Sequence, residues 1–247
     1  MIEIQKGQKI SLTKDNKKLK ELLIGLGWEI GKKQEMDLDV SVFLLGENDK
    51  VRSEKDIIFY NQTEDESGAV KHLGDNKIGG IIGDAEQIKI DLTKVPAQVQ
   101  KIDFTITIYE AETRKQNFGQ MKRAYIRVID QNTKEEILIY NLSEEYKEET
   151  AIIVGEIYRN KGEWKFQAIG SGFIGGLAAL SRNYGVDIGR KSERASIVMY
   201  EDVKIAVKKL ATIHKVKMSD IINEALERYI QEHRTEINKY DNIVKNL

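Results

Sequence analysis

The sequence predicts a mainly β sandwich followed by a small strand-helix-helix module. Three observations carry that expectation. Residues 101–109, KIDFTITIY, alternate strictly: Ile102, Phe104, Ile106 and Ile108 against Asp103, Thr105, Thr107 and Tyr109. Alternation at period two puts apolar side chains on one face of a half-buried strand. Runs of this kind recur at short, even spacing as far as Ile169, the pattern of a two-sheet β domain. After Gly189 the period changes to the helical one, with Val203, Ala206, Val207 and Leu210 recurring along one stripe.

Taken in order, Ile2 and Ile4, then Ile10 and Leu12, mark a first strand or two. Lys14 to Glu21 reads as a polar turn, and LLIGLGW (22–28) as an apolar strand. In MDLDVSVFLL (36–45), Asp37, Asp39 and Ser41 share one side of a strand while Leu38, Val40 and Val42 take the other. Short strands follow at 57–60, 88–92, 101–109, 124–129, 137–142, 151–158 and 163–169. The single proline, Pro96, falls in a connection, where it removes no ladder hydrogen bond. The module begins with a strand at 194–200, continues with a helix from Val203, breaks at 214–218, and resumes with a helix that Ser219 can cap. The second helix carries Ile221, Ile222, Ala225, Leu226, Tyr229 and Ile230 on one face. The expected domains are therefore 1–187 and 192–240, divided near Gly185 to Lys191.

Composition narrows the functional classes. With 40% hydrophobic and 32% charged residues, the 247-residue chain has the balance of a globular domain or two. It has no cysteine, which excludes disulfides and thiolate zinc sites. The opening MIEIQKGQKISL lacks the apolar core of a signal peptide, and the longest apolar run, Ala168 to Leu180, is broken by glycines and too short to span a bilayer. A cytoplasmic protein with no membrane span is expected. The net charge of −1 conceals a separation. Residues 35–91 hold 14 acidic and 6 basic residues, whereas residues 190–247 hold 12 basic and 9 acidic ones. Such an arrangement suits two partners of opposite sign, a cation and a polyanion.

The acidic excess surrounds HLGDNKIGGIIGDAEQIKIDL (72–92). Gly74, Gly79, Gly80 and Gly83 permit sharp turns that expose carbonyls, and Asp75, Asn76, Asp84 and Glu86 stand between them. Calcium takes about 6–8 oxygen ligands of these kinds. An EF-hand is excluded, because the run that starts at Asp37 has Val42 where that loop needs glycine and Asn48 where it needs a bidentate acid. Catalysis has little support: there is no GxSxG, and His72, His214 and His233 lie in unrelated settings. Gly170-Ser171-Gly172-Phe173-Ile174-Gly175 spells GxGxxG after a strand, yet the two helices that follow leave no strand to continue a dinucleotide-binding sheet. A non-enzyme is expected.

Residues 1 to about 187 resemble the TerD family of tellurium-resistance and stress-response proteins. The matching residues include Gly27-Trp28, Asp37-Leu38-Asp39-Val40-Ser41, Phe59-Tyr60-Asn61, Gly74-Asp75-Asn76, Gly83-Asp84-Ala85-Glu86-Gln87-Ile88, Gln116-Asn117-Phe118-Gly119-Gln120 and Gly155-Glu156-Ile157-Tyr158-Arg159. Gly172-Phe173-Ile174-Gly175-Gly176-Leu177 belongs to the family's last strand and helix, which accounts for the GxGxxG. The resemblance implies a calcium-binding β-sandwich with Asp37, Asp39, Asp75, Asn76, Asp84 and Glu86 as ligand candidates. Ala85 stands where an acid is usual, and Glu29 where Asp is usual, which bears on the number of calcium sites.

The end of the chain resembles a ribbon-helix-helix module of the Arc and MetJ kind. So small a unit cannot close a core alone, and its single strand needs a partner strand. A homodimer through residues 190–247 is the implied solution. In that family the paired strands read the major groove of double-stranded DNA. Arg194, Ser196 and Val198 would face the bases, with Lys217 and the helix start at Ser219 facing phosphates. Val198 departs from the polar residue usual there. Two readings follow: a calcium-binding stress protein that also binds DNA, or a calcium-dependent scaffold whose module only dimerises it.

Overall fold

The alternating runs become strands of two stacked sheets. The computed structural model describes residues 1–30, 36–75, 83–142, 146–186, 198–214, 218–233 and 236. In chain order the strands are β1 (Ile2–Ile4), β2 (Lys9–Ser11), β3 (Glu21–Ile30), β4 (Leu38–Leu45), β5 (Ile57–Ile58) and β6 (Val70–Asp75). They continue as β7 (Glu86–Asp91), β8 (Lys101–Ile108), β9 (Met121–Asp130), β10 (Glu136–Asn141), β11 (Ala151–Asn160) and β12 (Glu163–Phe173). Helix α1 (Ala111–Arg114) follows β8, and α2 (Gly176–Asn183) follows β12. One six-stranded sheet, here the front sheet, has the order β1-β10-β9-β3-β7-β6, and the six-stranded back sheet has the order β2-β12-β11-β8-β4-β5. All these pairings are antiparallel except that of β1 with β10.

Inward-facing alternates close the core between the sheets. Leu22, Ile24 and Leu26 of β3, Ile88 and Ile90 of β7, Val40, Val42 and Leu44 of β4, and Ile102, Phe104 and Ile106 of β8 are fully buried. A second cluster lies on the outside of the back sheet. There Leu180 and Tyr184 bring α2 down onto Phe43, Leu45, Ile57 and Ile153. The GxGxxG is explained by this packing. Gly170 and Gly172 lie within antiparallel β12, and Gly175 turns the chain at φ 100° to start α2.

Two elements differ from the sequence expectation. The stretch read as loop from His72 onward begins as a strand, β6, because pairing with β7 supplies the ladder that its own glycine and charges do not favour. The strand expected over 57–60 is only Ile57–Ile58, since Phe59 and Gln62 exchange backbone hydrogen bonds in a tight turn.

The register sets up the site. β6 ends at Asp75 opposite Glu86, the first residue of β7. In the other sheet β4 begins at Leu38 opposite Ile108, the last residue of β8. These strand ends lie at one end of the sandwich, which also receives the start of β11 opposite Thr107.

The chain divides into two compact units, 1–190 and 191–247. The second contains α3 (Glu201–His214) and α4 (Met218–Glu232), which pack against each other. Both helices agree with the apolar spacing. Of the strand expected at 194–200, residues 194–197 lie outside the described residues, and Val198 to Tyr200 form no regular structure.

Candidate metal centre at the loop end of the sandwich

Glu86 joins the two sheets. Its carboxylate is almost wholly buried and accepts a hydrogen bond from Val40 N of β4, at 3.2 Å to Oε1 and 3.3 Å to Oε2. His72 of β6 approaches from the other side, its Nε2 lying 2.6 Å from Glu86 Oε2. Gly74 N donates to His72 Nδ1 at 3.0 Å. With Nδ1 accepting, the ring proton is on Nε2 and points at the carboxylate. One histidine thus ties the Gly74 turn to Glu86. Alternation places Glu86 on the core face with Ile88 and Ile90, so its carboxylate stays inside the sandwich end.

Asp39 precedes Val40 on β4 and faces the outside of the back sheet. It helps line a cleft of about 670 Å³ whose other walls include Tyr60, Asn61, Thr107, Tyr109, Thr150 and the start of α2. Asp37 is exposed just before β4, and its carbonyl accepts from Tyr109 N at 2.8 Å. The backbone of Asp75 pairs opposite Glu86. Asn76 lies outside the described residues, as do the glycines at 79 and 80. The structure therefore brings Asp37, Asp39, Asp75 and Glu86 to one end of the sandwich. Among the described residues no three His, Asp or Glu side chains converge as a finished metal site.

Asp84 has a different setting. Its side chain is fully buried against the outer face of the front sheet, where Arg127 grips it bidentately, Nε to Oδ1 at 2.7 Å and Nη2 to Oδ2 at 3.0 Å. Gln87 donates to Oδ2 at 2.8 Å and the Tyr125 hydroxyl to Oδ1 at 3.2 Å. Arg127 also reaches Glu136 at 2.9 Å. The hydrogen bond to Asp84 raises the Arg127 pKa further above its ordinary value, and burial followed by the Asp84 charge pushes Tyr125 up to about 12.

Sheet glycines make room for this cluster. A Cβ on Gly25 would meet Asp84 Oδ2 at 2.2 Å, and one on Gly27 would meet the Tyr125 ring at 2.3 Å. Arg127 and Tyr125 were not legible as site residues, and His72, which adjoins the acidic stretch, reads from sequence as a solvated residue rather than the buried partner of Glu86 that it is. The one available signal was LLIGLGW, in which Gly25 and Gly27 share a face of an otherwise apolar strand and so announce bulky neighbours there.

As a group, the candidates are oxygen donors on strand ends, the chemistry that a hard divalent cation takes. Asp39 and Glu86 come nearest to it along the chain path, since Glu86 is bonded to Val40 N, the residue after Asp39, although Asp39 faces outward and Glu86 faces the core. The bonds of Asp84 suit it to fixing the start of β7.

For the second unit, Arg194, Ser196 and Lys217 lie outside the described residues. Val198 is completely exposed. Ser219 is exposed in the first turn of α4, which starts one residue earlier than expected, at Met218.

The fold and this end of it define an antiparallel two-sheet sandwich with carboxylates gathered where both sheets end. The TerD domain model matches residues 1–184, and the chain belongs to the TerD family. General stress protein 16U of Bacillus subtilis (strain 168) is 50% identical over 191 residues, covering 76% of this chain and 99% of that protein. Tellurium resistance protein TerD of Serratia marcescens is 44% identical over 188 residues, covering 75% of this chain and 98% of that protein. Each alignment leaves about a quarter of this chain unmatched. The crystal structure of a homologue of telluride resistance protein (TerD) from Streptomyces coelicolor A3(2) superposes with a TM-score of 0.51. At 16% identity, covering 66% of this chain and 95% of that one, it shares the fold.

Proposed function

We propose that this protein is a calcium-binding member of the tellurium-resistance and stress-response group, with a C-terminal module that dimerises it and binds double-stranded DNA. The observation that carries the calcium reading is the Val40–Glu86 hydrogen bond between the sheets. It holds Glu86 against the β4 residue that follows Asp39, while the β6–β7 register sets Asp75 opposite Glu86. Asp37 and Asn76 complete the candidate set, and Asp84 holds the start of β7. Calcium would supply positive charge among the 14 acidic residues of 35–91, which otherwise repel one another. The names of the relatives support the stress-response assignment, and a non-catalytic role in the cytoplasm accords with it.

The dimer reading rests on the second unit's exposed apolar residues. Val198, Tyr200, Val203, Ile205, Leu210, Ile213, Leu226, Tyr229 and Ile230 are all exposed, and Ala211 is the one buried residue among those described. A helix pair in that state needs a partner to bury its apolar stripe. A second copy supplies one, and also the paired strand on which Arg194 and Ser196 would reach base edges. The scaffold reading keeps the dimer and drops the DNA. Thermal unfolding in chelator and in excess calcium tests the first part. Calcium should raise the melting temperature, and an unchanged midpoint would refute the site. Binding of a duplex library by the full chain at moderate salt tests the second, and enrichment of no sequence would leave the scaffold.

A further inference from the structure

The outside of the back sheet holds a buried acid that the metal centre does not use. Asp103 lies on β8 with Phe43 of β4 on one side and Glu156 of β11 on the other. α2 and the residues after it cover it. The Tyr184 hydroxyl donates to Asp103 Oδ2 at 2.5 Å, while Oδ1 is buried with no partner among the described residues. Three further contacts hold the same segment. Val51 N donates to the Tyr184 carbonyl at 3.0 Å, Lys50 Nζ donates to the Asn183 carbonyl at 2.5 Å, and Thr150 Oγ1 accepts from Gly175 N and Gly176 N at 3.0 and 2.9 Å.

The charges around Asp103 do not neutralise it. On its own strand Lys101 pairs with Asp49, from the turn after β4, at 2.8 Å, and with Glu156 at 3.9 Å. Asp49 and Glu156 are both acids, so Lys101 is already shared between two carboxylates. Lys50 is engaged at the end of α2. An ionised Asp103 would thus sit in an apolar pocket with one oxygen unsatisfied, a far costlier state than the neutral acid.

We propose that residues 176–186 form a pH-sensitive clasp, held on the back sheet while Asp103 carries its proton and loosened when it loses it. Burial, the largest cause, pushes the Asp103 carboxyl up to about 7, and Glu156 and Asp49 add to the rise against the hydrogen bond from Tyr184 and the charge of Lys101. Burial, and then Asp103, also raise the Tyr184 hydroxyl far above its ordinary range, so it stays a donor throughout. The sign follows from linkage. The closed state binds a proton that the open, hydrated state releases near the ordinary carboxylate range, so opening is favoured as pH rises. The opening equilibrium should grow roughly tenfold per pH unit between about 5 and 7, then level once the closed form is itself ionised. Opening would uncover Phe43, Leu45, Ile57 and Ile153, an apolar patch on the outside of the back sheet.

Hydrogen exchange on the full chain tests this, with protection factors of α2 and β3 amides measured from pH 5 to 8.5 and corrected for the intrinsic rate. The expected result is loss of α2 protection up to pH 7, a plateau above it, and no parallel change in β3. Asp103→Asn, which stays neutral and can still accept from Tyr184, should flatten the α2 profile. Tyr184→Phe removes a donor that favours the carboxylate, so its plateau should begin at higher pH. A flat wild-type profile, parallel loss in β3, or an unchanged slope in Asp103→Asn would each overturn the clasp. If Asp103→Asn does not fold, the wild-type and Tyr184→Phe profiles decide it.

Discussion

The Asp84 cluster makes a quantitative prediction about Gly25. Replacing it with alanine adds a Cβ 2.2 to 2.4 Å from the three terminal atoms of the Asp84 carboxylate. No backbone atom is among them, so the clash is with that one side chain. The chain must either spread the sheet, at about 1–3 kcal/mol for overpacking, or expel the carboxylate. Expulsion forfeits hydrogen bonds between charged groups, worth about 1.5–3 kcal/mol in a site where Asp84 is fully buried and Arg127 is 28% exposed. Against this, alanine is favoured over glycine in a strand by about 0.5–1 kcal/mol. Gly25→Ala should therefore destabilise the protein by about 2 kcal/mol. Asp84→Ala alone should cost about 2–3 kcal/mol, with Arg127 still held by Glu136. In the Asp84→Ala background the obstacle is gone, and Gly25→Ala should be neutral or slightly stabilising. The coupling energy, about 2 kcal/mol, is within the range for residues in contact. Urea unfolding of the four proteins, with chelator present so that calcium contributes nothing, measures it. If Gly25→Ala costs the same in both backgrounds, the glycine is not there to admit Asp84.

Three other outcomes follow from the same structure. Calcium at a hundredfold excess over its Kd should add about 2.7 kcal/mol, or about 5–10 °C in Tm for a domain of this size, and Asp39→Asn or Glu86→Gln should reduce that shift in calorimetry. Deleting residues 191–247 should leave a folded protein of lower oligomeric order in sedimentation, and a truncated chain that stayed dimeric would place the interface on the sandwich. Arg194→Ala should weaken binding to a selected duplex by about 1–3 kcal/mol and relax its sequence preference. Lys217→Ala should instead weaken all duplexes alike and flatten the salt dependence.

What the sequence alone determined is whatever depends on neighbours along the chain. Period two is a local property, so β8 could be read from Ile102, Phe104, Ile106 and Ile108, which are buried; that Asp103, Thr105 and Thr107 on its other face are buried as well was not legible. The helical stripe of α3 and α4 was legible for the same reason. β6 was not legible: Val70–Asp75 holds a glycine and two charges beyond its apolar residues, and it is a strand because β7 offers it hydrogen bonds. Likewise, nothing near Asp84 announced Arg127, 43 residues away, and nothing near Asp103 announced Tyr184, 81 residues away. Sequence could say that acidic side chains gather around a glycine loop. Only the stacking of the sheets decided which of them face the strand ends and which are gripped by an arginine, because charge pairing is set by distance through space and spacing along the chain does not encode it.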